Sequence, residues 1–542
     1  MAATIAAVAL RLPRLQQRPM HGDEAIHAVK FGELLEKNFY RYNPQEYHGP
    51  TLNYFTLIPA WLSGIHKFKD LSEFTLRIVP VFFGLLLVLM PLLLVDGLGR
   101  SAMIIAAVMT AISPAFVFYS RYYIQEMLLV CFTFGVITCG WCYTQRKNTK
   151  WALLTGIFLG LCHATKETSI IVFGSILLAL LLTLLLQHRQ VSISNIVKAI
   201  KPQHVIVTII AAVIVSTLFY SSFFTNPDGI LDSVLAYATY FNQAGQNNLH
   251  IYPWYYYLDI LTWIEGFESL TWNEDLIIVM AGVGFIIAMT KSRYSILDAR
   301  HSSEYRESSI ENRGLLRFLA FYTLIMTVVY SAIPYKTPWC LLGFLHGMIL
   351  LAAVGVAALI KMSLYRWEKL AVGLLLVFFG LLLPAAQAYL GSYKYYADAR
   401  NPYVYAHPTT DVFDITQRIE EVAQVHPEGH NIYIQVICPA ADYWPLPWYL
   451  RSFPNVGWWN NVDENIPAAP VIIASPSVVP ALMRKLYELP PPGKRNLYVP
   501  LFDSYTELRP QVELLGFVTK DLWDRFQQQQ AQPVQSQSTG ER

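Results

Sequence analysis

The stretch IVPVFFGLLLVLMPLLLV, Ile78–Val95, carries no charged side chain, and it opens a series. Similar runs are Ser101–Ser120, Met127–Gln145, Trp151–Leu161, Thr168–Gln187, Val205–Pro227, Leu276–Thr290, Phe318–Tyr335, Thr337–Ile360 and Leu370–Tyr393. A helix of roughly 20 apolar residues crosses a hydrocarbon layer ~30 Å thick. A charge at mid-bilayer costs at least about 2.5–3.5 kcal/mol, so clean runs bounded by charges read as spans. A soluble helical core would need amphipathic periodicity in every run, which these runs lack. With Met1–Leu10 as a short first helix, the expectation is an α-helical polytopic membrane protein of about eleven transmembrane helices.

Composition agrees. Of 542 residues, 54% are hydrophobic and only 14% charged, against nearer a quarter charged in soluble globular proteins. The net charge of +2 provides no field that would gather nucleic acid. Cys131, Cys139, Cys142, Cys162 and Cys340 fall inside runs and Cys438 lies outside them. Cys139-Gly-Trp-Cys142 imitates a redox motif, but in an apolar run it reads as small packing residues.

Loop charges orient the spans by the positive-inside rule. One set of loops holds Arg100; Arg146, Lys147, Lys150; Arg189, Lys198, Lys201; Lys291, Arg293, Arg300, Arg306, Arg313, Arg317; and Lys361, Arg366, Lys369. The alternating set holds only Arg121, Lys166 and Lys336, and so is placed outside the cytoplasm. Thr51–Ile65, interrupted by Asn53, Pro59 and Gly64, fits an interfacial helix better than a span. Residues 1–393 are then a transmembrane domain with external loops at 19–72 and 225–274. Residues 394–525 form an extracytoplasmic α/β domain, with strands Asn431–Ile437, Val471–Ala474 and Asn496–Val499 alternating with helices Thr409–Val425, Ser477–Leu489 and Thr506–Leu515. Residues 526–542 are a Gln-rich tail expected to be disordered.

The densest polar cluster is His21-Gly22-Asp23-Glu24-Ala25-Ile26-His27 in the first loop. Asp23 can cap a helix running Glu24–Leu35. A cap needs one Asp, however, and leaves two adjacent carboxylates flanked by histidines unexplained. Such a cluster suits a general base, or a cation site that holds a phosphate. Zinc-protease spacing would need a histidine where Asp23 stands. Tyr47-His48-Gly49-Pro50 is a turn leading into the interfacial segment. Ser120 to Glu126, His163 to Thr168 and Pro334 to Trp339 each set one scarce cation at membrane depth: Arg121 near Glu126, Lys166 beside Glu167, and Lys336. Snorkelling or an ion pair would account for each alone. Together they would make a cationic rim beside a carboxylate loop, which a phosphate leaving group requires. The aromatic Tyr252–Tyr257 stretch reads as an interfacial belt, with a sugar-stacking platform as the alternative.

Those residues carry a resemblance. The chain resembles GT-C superfamily glycosyltransferases of the protein-mannosyltransferase type. It is similar to the dolichyl-phosphate-mannose–protein mannosyltransferases and the aminoarabinose transferases of lipid A, and most specifically to the flippase-activity-associated branch of archaeal N-glycosylation. The likeness rests on Asp23-Glu24, His48-Gly49-Pro50, Arg121 to Glu126, Lys166-Glu167, Pro334 to Trp339 and Tyr403 to His407. It implies a plasma-membrane enzyme of a bacterium or archaeon. Its donor would be a polyprenyl-phosphate-linked hexose, its acceptor a protein, lipid or glycan, and its transfer inverting, on the extracytoplasmic face. Asp23 would be the general base with Glu24 in support, and Arg121, Lys166 and Lys336 would face the donor phosphate with His27, His48 and Glu126. No motif demands a metal, and a divalent cation stays open as a cofactor. The alternative is a non-catalytic or transporting component of lipid-linked sugar flipping. Charges at span ends rather than at mid-span favour the enzyme.

Overall fold

The computed structural model describes residues 1–45, 48–187, 201–244, 250–262, 272–290, 303–362, 365–491 and 493–531, with backbone alone for 239–244 and 303–312. Tyr47, the loop cations Arg189, Lys198, Lys291, Arg293 and Arg300, and residues 532–542 lie outside the described residues. The chain divides into two compact units. The first comprises Met1–Leu15, Glu33–His66 and Ser72–Tyr405; the second comprises Gln16–Gly32, Lys67–Leu71 and Ala406–Arg542.

The first unit is a helical bundle. Among the described residues seven helices are long and apolar enough to cross a membrane: Glu73–Leu98, Glu126–Arg146, Ser169–Gln187, Pro202–Tyr220, Arg313–Ala332, Pro338–Met362 and Arg366–Tyr393. Arg100–Ile112 and Pro114–Ser120, bent by 57°, make an eighth if the pair is one span. Ala2–Arg11, Thr149–His163 and Asp275–Met289 are shorter. The expected apolar runs are therefore helical; among the described residues length and composition mark seven of them as crossings, or eight with the bent pair, and the shorter apolar helices add to these. Thr51–Leu62 has 12 residues, about 18 Å of helix, which is short for a crossing.

Helices approach closely where glycine removes the side chain. In Gly156-Ile-Phe-Leu-Gly160 a Cβ on either glycine would meet the backbone of the neighbouring helix, 2.3 Å from Thr208 O and 2.6 Å from Ala212 O. Gly284 and Gly355 do the same for each other's helices, with Leu351 O at 2.1 Å and Met280 O at 2.3 Å.

The run Ser101–Ser120 was expected to be continuous, and the structure corrects this. Pro114 lacks an N–H and forces the preceding residue out of the helical region, and Ser113 accordingly has ψ 124. Two buried charges satisfy the groups freed by the break. Arg11 donates to Ala111 O at 2.6 Å and Thr110 O at 2.8 Å. Glu274 accepts from Ser113 Oγ at 2.6 Å and from the Ala115 N–H at 3.2 Å.

The second unit carries a mixed sheet in the order β2-β1-β3-β7-β4, formed by β1 (Ile434–Ile437), β2 (Val456–Trp459), β3 (Val471–Ala474), β4 (Tyr498–Pro500) and β7 (Leu515–Thr519). β1 pairs in parallel with β2 and β3, and β7 runs antiparallel to β3 and β4. β1 and β3 are buried at every position, as central parallel strands are. Helix Asp411–Val425 matches the sequence expectation closely. The expected helix Thr506–Leu515 is instead a bulged hairpin of β5 (Glu507–Arg509) and β6 (Val512–Glu513), turned by Pro510 and by Gln511 at φ 70. The helix Lys520–Ala531 also runs on past the expected start of the disordered tail.

Candidate functional site

In the first unit three loops meet at one end of the bundle. The tightest construction surrounds Lys166-Glu167. Gly49 lies against this loop so closely that a Cβ would stand 2.3 Å from Ala164 O. Thr51 then donates its N–H to Ala164 O at 3.3 Å and its hydroxyl to Thr165 Oγ1 at 2.9 Å. This docking turns His48 onto Glu167, Nδ1 to Oε2 2.7 Å, while Tyr42 Oη donates to the other oxygen at 2.8 Å. Burial pushes the Glu167 carboxyl up, but the charge and hydrogen bond of His48, with the Tyr42 bond, outweigh it and hold the carboxyl below its usual range. Burial, together with the neighbouring Glu167 charge, drives the Tyr42 hydroxyl well above its usual range.

Lys166 turns the opposite way and pairs with Glu126, both side chains buried. Glu126 stands at the head of a cleft lined also by Thr168, Trp339 and Cys340, so all three loops contribute to its mouth.

Lys336 occupies a different setting. The isolated bridge Ile251–Tyr335 joins its loop to the 250–252 segment, with Lys336 N–H on His250 O at 3.0 Å and Tyr252 N–H on Pro334 O at 3.1 Å. Its ammonium, 1% exposed, donates to Ile333 O and, at 3.4 Å, to Tyr252 O. Among the described residues no carboxylate pairs with it, and burial lowers its pKa. Around the loop stand His250 in hydrogen-bond contact with Tyr405, Tyr252 stacked on Tyr256 at 4.2 Å, and Trp339 edge-on to Tyr405 at 5.9 Å.

Arg121 does not stand free for a ligand. Its guanidinium donates to Arg11 O, Pro13 O and Arg14 O at 2.7–3.1 Å and to Tyr393 Oη at 3.0 Å. It thereby closes the C-terminal end of helix Ala2–Arg11, whose last carbonyls need donors.

The histidine–carboxylate cluster belongs to the second unit. Helix Gly22–Lys37 begins two residues earlier than a cap at Asp23 would allow, and His21 takes the capping position. His21 Nδ1 accepts the Asp23 N–H at 3.0 Å, and Glu24 Oε2 accepts the His21 N–H at 3.0 Å. This is a reciprocal capping box with histidine in the serine position. Glu24 is fully buried and also binds Arg18 at 2.9 Å, whose other nitrogen meets His407 Nε2 at 3.0 Å. Asp23 is left half exposed, with His21 Nδ1 4.0 Å from its carboxylate. His27 is buried one turn along. Among the described residues no group of three or more His, Cys, Asp or Glu side chains is placed to hold a metal ion.

Sequence reasoning did not single out Arg18, His250 or Glu274. Arg18 was visible as a basic residue three positions before His21 and Glu274 as a charge at a run boundary, but neither position reveals its partner.

Residues 55–226 match the family model for dolichyl-phosphate-mannose-protein mannosyltransferase, a range that includes Arg121, Glu126, Lys166 and Glu167. No curated protein matches the chain in sequence. Among solved structures it is similar to ArnT from Cupriavidus metallidurans bound to undecaprenyl phosphate, with a TM-score of 0.59 and 14% identity over 95% of this chain and 97% of that one. It is also similar to the archaeal oligosaccharyltransferase AglB from Archaeoglobus fulgidus, in complex with an inhibitory peptide and a dolichol-phosphate. That likeness has a TM-score of 0.54 and 12% identity over 88% of this chain and 68% of that one. Over residues 55–226 the chain thus matches a mannosyltransferase family model, and it shares its fold with these two membrane proteins.

Proposed function

We propose that the chain is a membrane glycosyltransferase that moves a hexose-type sugar from a polyprenyl-phosphate donor to an acceptor on the extracytoplasmic face, with inversion. The observation that carries the reading is Lys336, a buried ammonium held by main-chain carbonyls, with no carboxylate paired to it among the described residues. A buried cation without a counter-charge is costly, and an arriving phosphate would relieve that cost. The aromatic side chains about its loop suit the apolar face of a sugar ring. A related fold holds undecaprenyl phosphate and another holds a dolichol-phosphate, which supports this class of donor.

For the reaction, the sequence pattern rather than the placement of the units makes Asp23 the proposed base that takes the proton of the acceptor hydroxyl. That oxygen forms the new bond to the anomeric carbon while the bond from the anomeric carbon to the phosphate oxygen breaks. The polyprenyl phosphate leaves as an anion stabilised by Lys336 and Lys166. A single displacement with one carboxylate base inverts the anomeric centre. Glu24 contributes by fixing His21 and Arg18, which holds the start of the Asp23 helix.

The test is binding of polyprenyl phosphate to the purified protein in nanodiscs, with Lys336→Met as the perturbation. The expected result is an affinity of the folded protein weaker by at least about tenfold, the equivalent of 1.4 kcal/mol. Wild-type affinity in the variant would remove Lys336 from the phosphate site. The affinity of the wild type should also fall at alkaline pH sooner than an exposed lysine would dictate, because burial lowers the ammonium pKa.

A further inference from the structure

Two polar side chains lie deep in the first unit with no hydrogen-bond partner among the described residues. His346 Nε2 and Tyr322 Oη are buried and, among the described residues, without a hydrogen bond. The residues are 4% and 2% exposed. His346 lies eight residues along the helix that starts at Pro338, about 12 Å, and Tyr322 ten residues before Ala332, about 15 Å. In a hydrocarbon layer ~30 Å thick both are near the middle, where an unsatisfied polar group has no lipid partner. The rings closest to the imidazole are Phe134 at 4.4 Å and Phe116 at 5.8 Å, and neither can supply a strong hydrogen bond.

Both groups line one cavity, the cleft headed by Glu126, and Thr133, Met326 and Cys340 line it too. Its volume is about 30 Å³. The space is wide enough to take ordered water. Buried polar atoms that the protein leaves unpaired are, as a rule, paired with ordered water. An alkyl chain in the cleft would leave Nε2 and Oη as they are, whereas water satisfies both.

We infer that this cavity is a water-binding site in the membrane core, a short column between the His346–Tyr322 floor and the Glu126 carboxylate. The column has a consequence at its upper end. Water against Glu126 lowers the cost of parting it from Lys166, so the lysine can turn to an incoming anion while Glu126 stays solvated.

The experiment is X-ray radiolytic footprinting of the full chain in nanodiscs, in which activated bound water oxidises the side chains beside it. Met326, 1% exposed and in the cavity, is read against Met90, 5% exposed and outside it. The column predicts that Met326 is oxidised several-fold faster than Met90, and that His346→Leu or Tyr322→Phe removes the excess. Tyr322→Phe deletes a single hydroxyl and remains usable if His346→Leu does not fold. A Met326 rate no higher than that of Met90, or an excess untouched by the substitutions, would show a dry cavity. The readout is hydration, so either result leaves the transferase reading to its own tests.

Discussion

Consider removing one charge from the Glu126–Lys166 pair. The two side chains are 6% and 7% exposed, so neither charge can turn to bulk water when its partner is lost. Two unit charges about 4 Å apart interact by about 4 kcal/mol at an effective dielectric of 20. Measured losses on orphaning one member of a buried pair run about 3–5 kcal/mol, and Glu126→Gln and Lys166→Met should each fall in that range. The double variant, with no charge left to orphan, should cost less than either single change, because replacing a whole buried pair is often near neutral. Equilibrium unfolding in mixed micelles, with all four proteins measured together, gives the cycle. Glu126→Gln has a second signature: it frees Lys166 from its counter-ion and should tighten phosphate binding while lowering stability. Single losses under about 1 kcal/mol that simply add would mean the pair behaves as a solvated surface pair, and the buried-pair reasoning would fail.

Two further outcomes follow from the same loops. The Glu167 carboxyl sits below its usual range, so its contribution to stability is present above the unfolded value of about 4.3 and is lost as pH falls through the folded value. Thermal unfolding followed from neutral to acid pH should show that loss, and Glu167→Gln should flatten it. Arg121→Lys keeps the charge but loses the fork that reaches three carbonyls; it should lower stability by about 2–3 kcal/mol and leave phosphate affinity of the folded protein unchanged, as titration on the folded fraction would show.

The helices were legible because absence of charge over a run is a property of the run itself. The break at Ser113-Pro114 was marked by the proline, yet its two buried caps, Arg11 and Glu274, come from distant parts of the chain and left no local trace. His48-Gly49-Pro50 showed that a turn was needed; that Gly49 exists to let the Lys166-Glu167 loop approach could be seen only once they met. The three loop cations looked alike in sequence because a side chain's charge does not say who its partner is. Lys166 proved ion-paired, Arg121 took main-chain carbonyls, and Lys336 kept a cation without a carboxylate among the described residues. In the second unit β3 was signalled by unbroken apolar residues and β1 by an apolar run interrupted only at Gln435. β5 and β6 were hidden in what read as one helix, and β7, with alternating burial and a glycine inside, gave no strand signal. His346 gave no signal at all, since one histidine in an apolar run reads as packing until its unpartnered nitrogen is seen facing a cavity.

Chemical transfer of a sugar from a lipid phosphate can be followed directly. The purified protein is reconstituted in vesicles with a polyprenyl-phosphate hexose labelled in the sugar, and label is followed into an envelope acceptor fraction beside Asp23→Asn. Asparagine keeps the size of Asp23 and leaves the His21–Glu24 cap intact, so the variant should fold and bind donor. It cannot take a proton near neutral pH, and loss of a general base costs on the order of 10²–10⁴-fold in rate. The expected result is steady transfer by the wild type, with free polyprenyl phosphate released, and transfer reduced by that factor in Asp23→Asn at unchanged melting temperature. No transfer by the wild type to any envelope fraction, or equal transfer by both proteins, would contradict it.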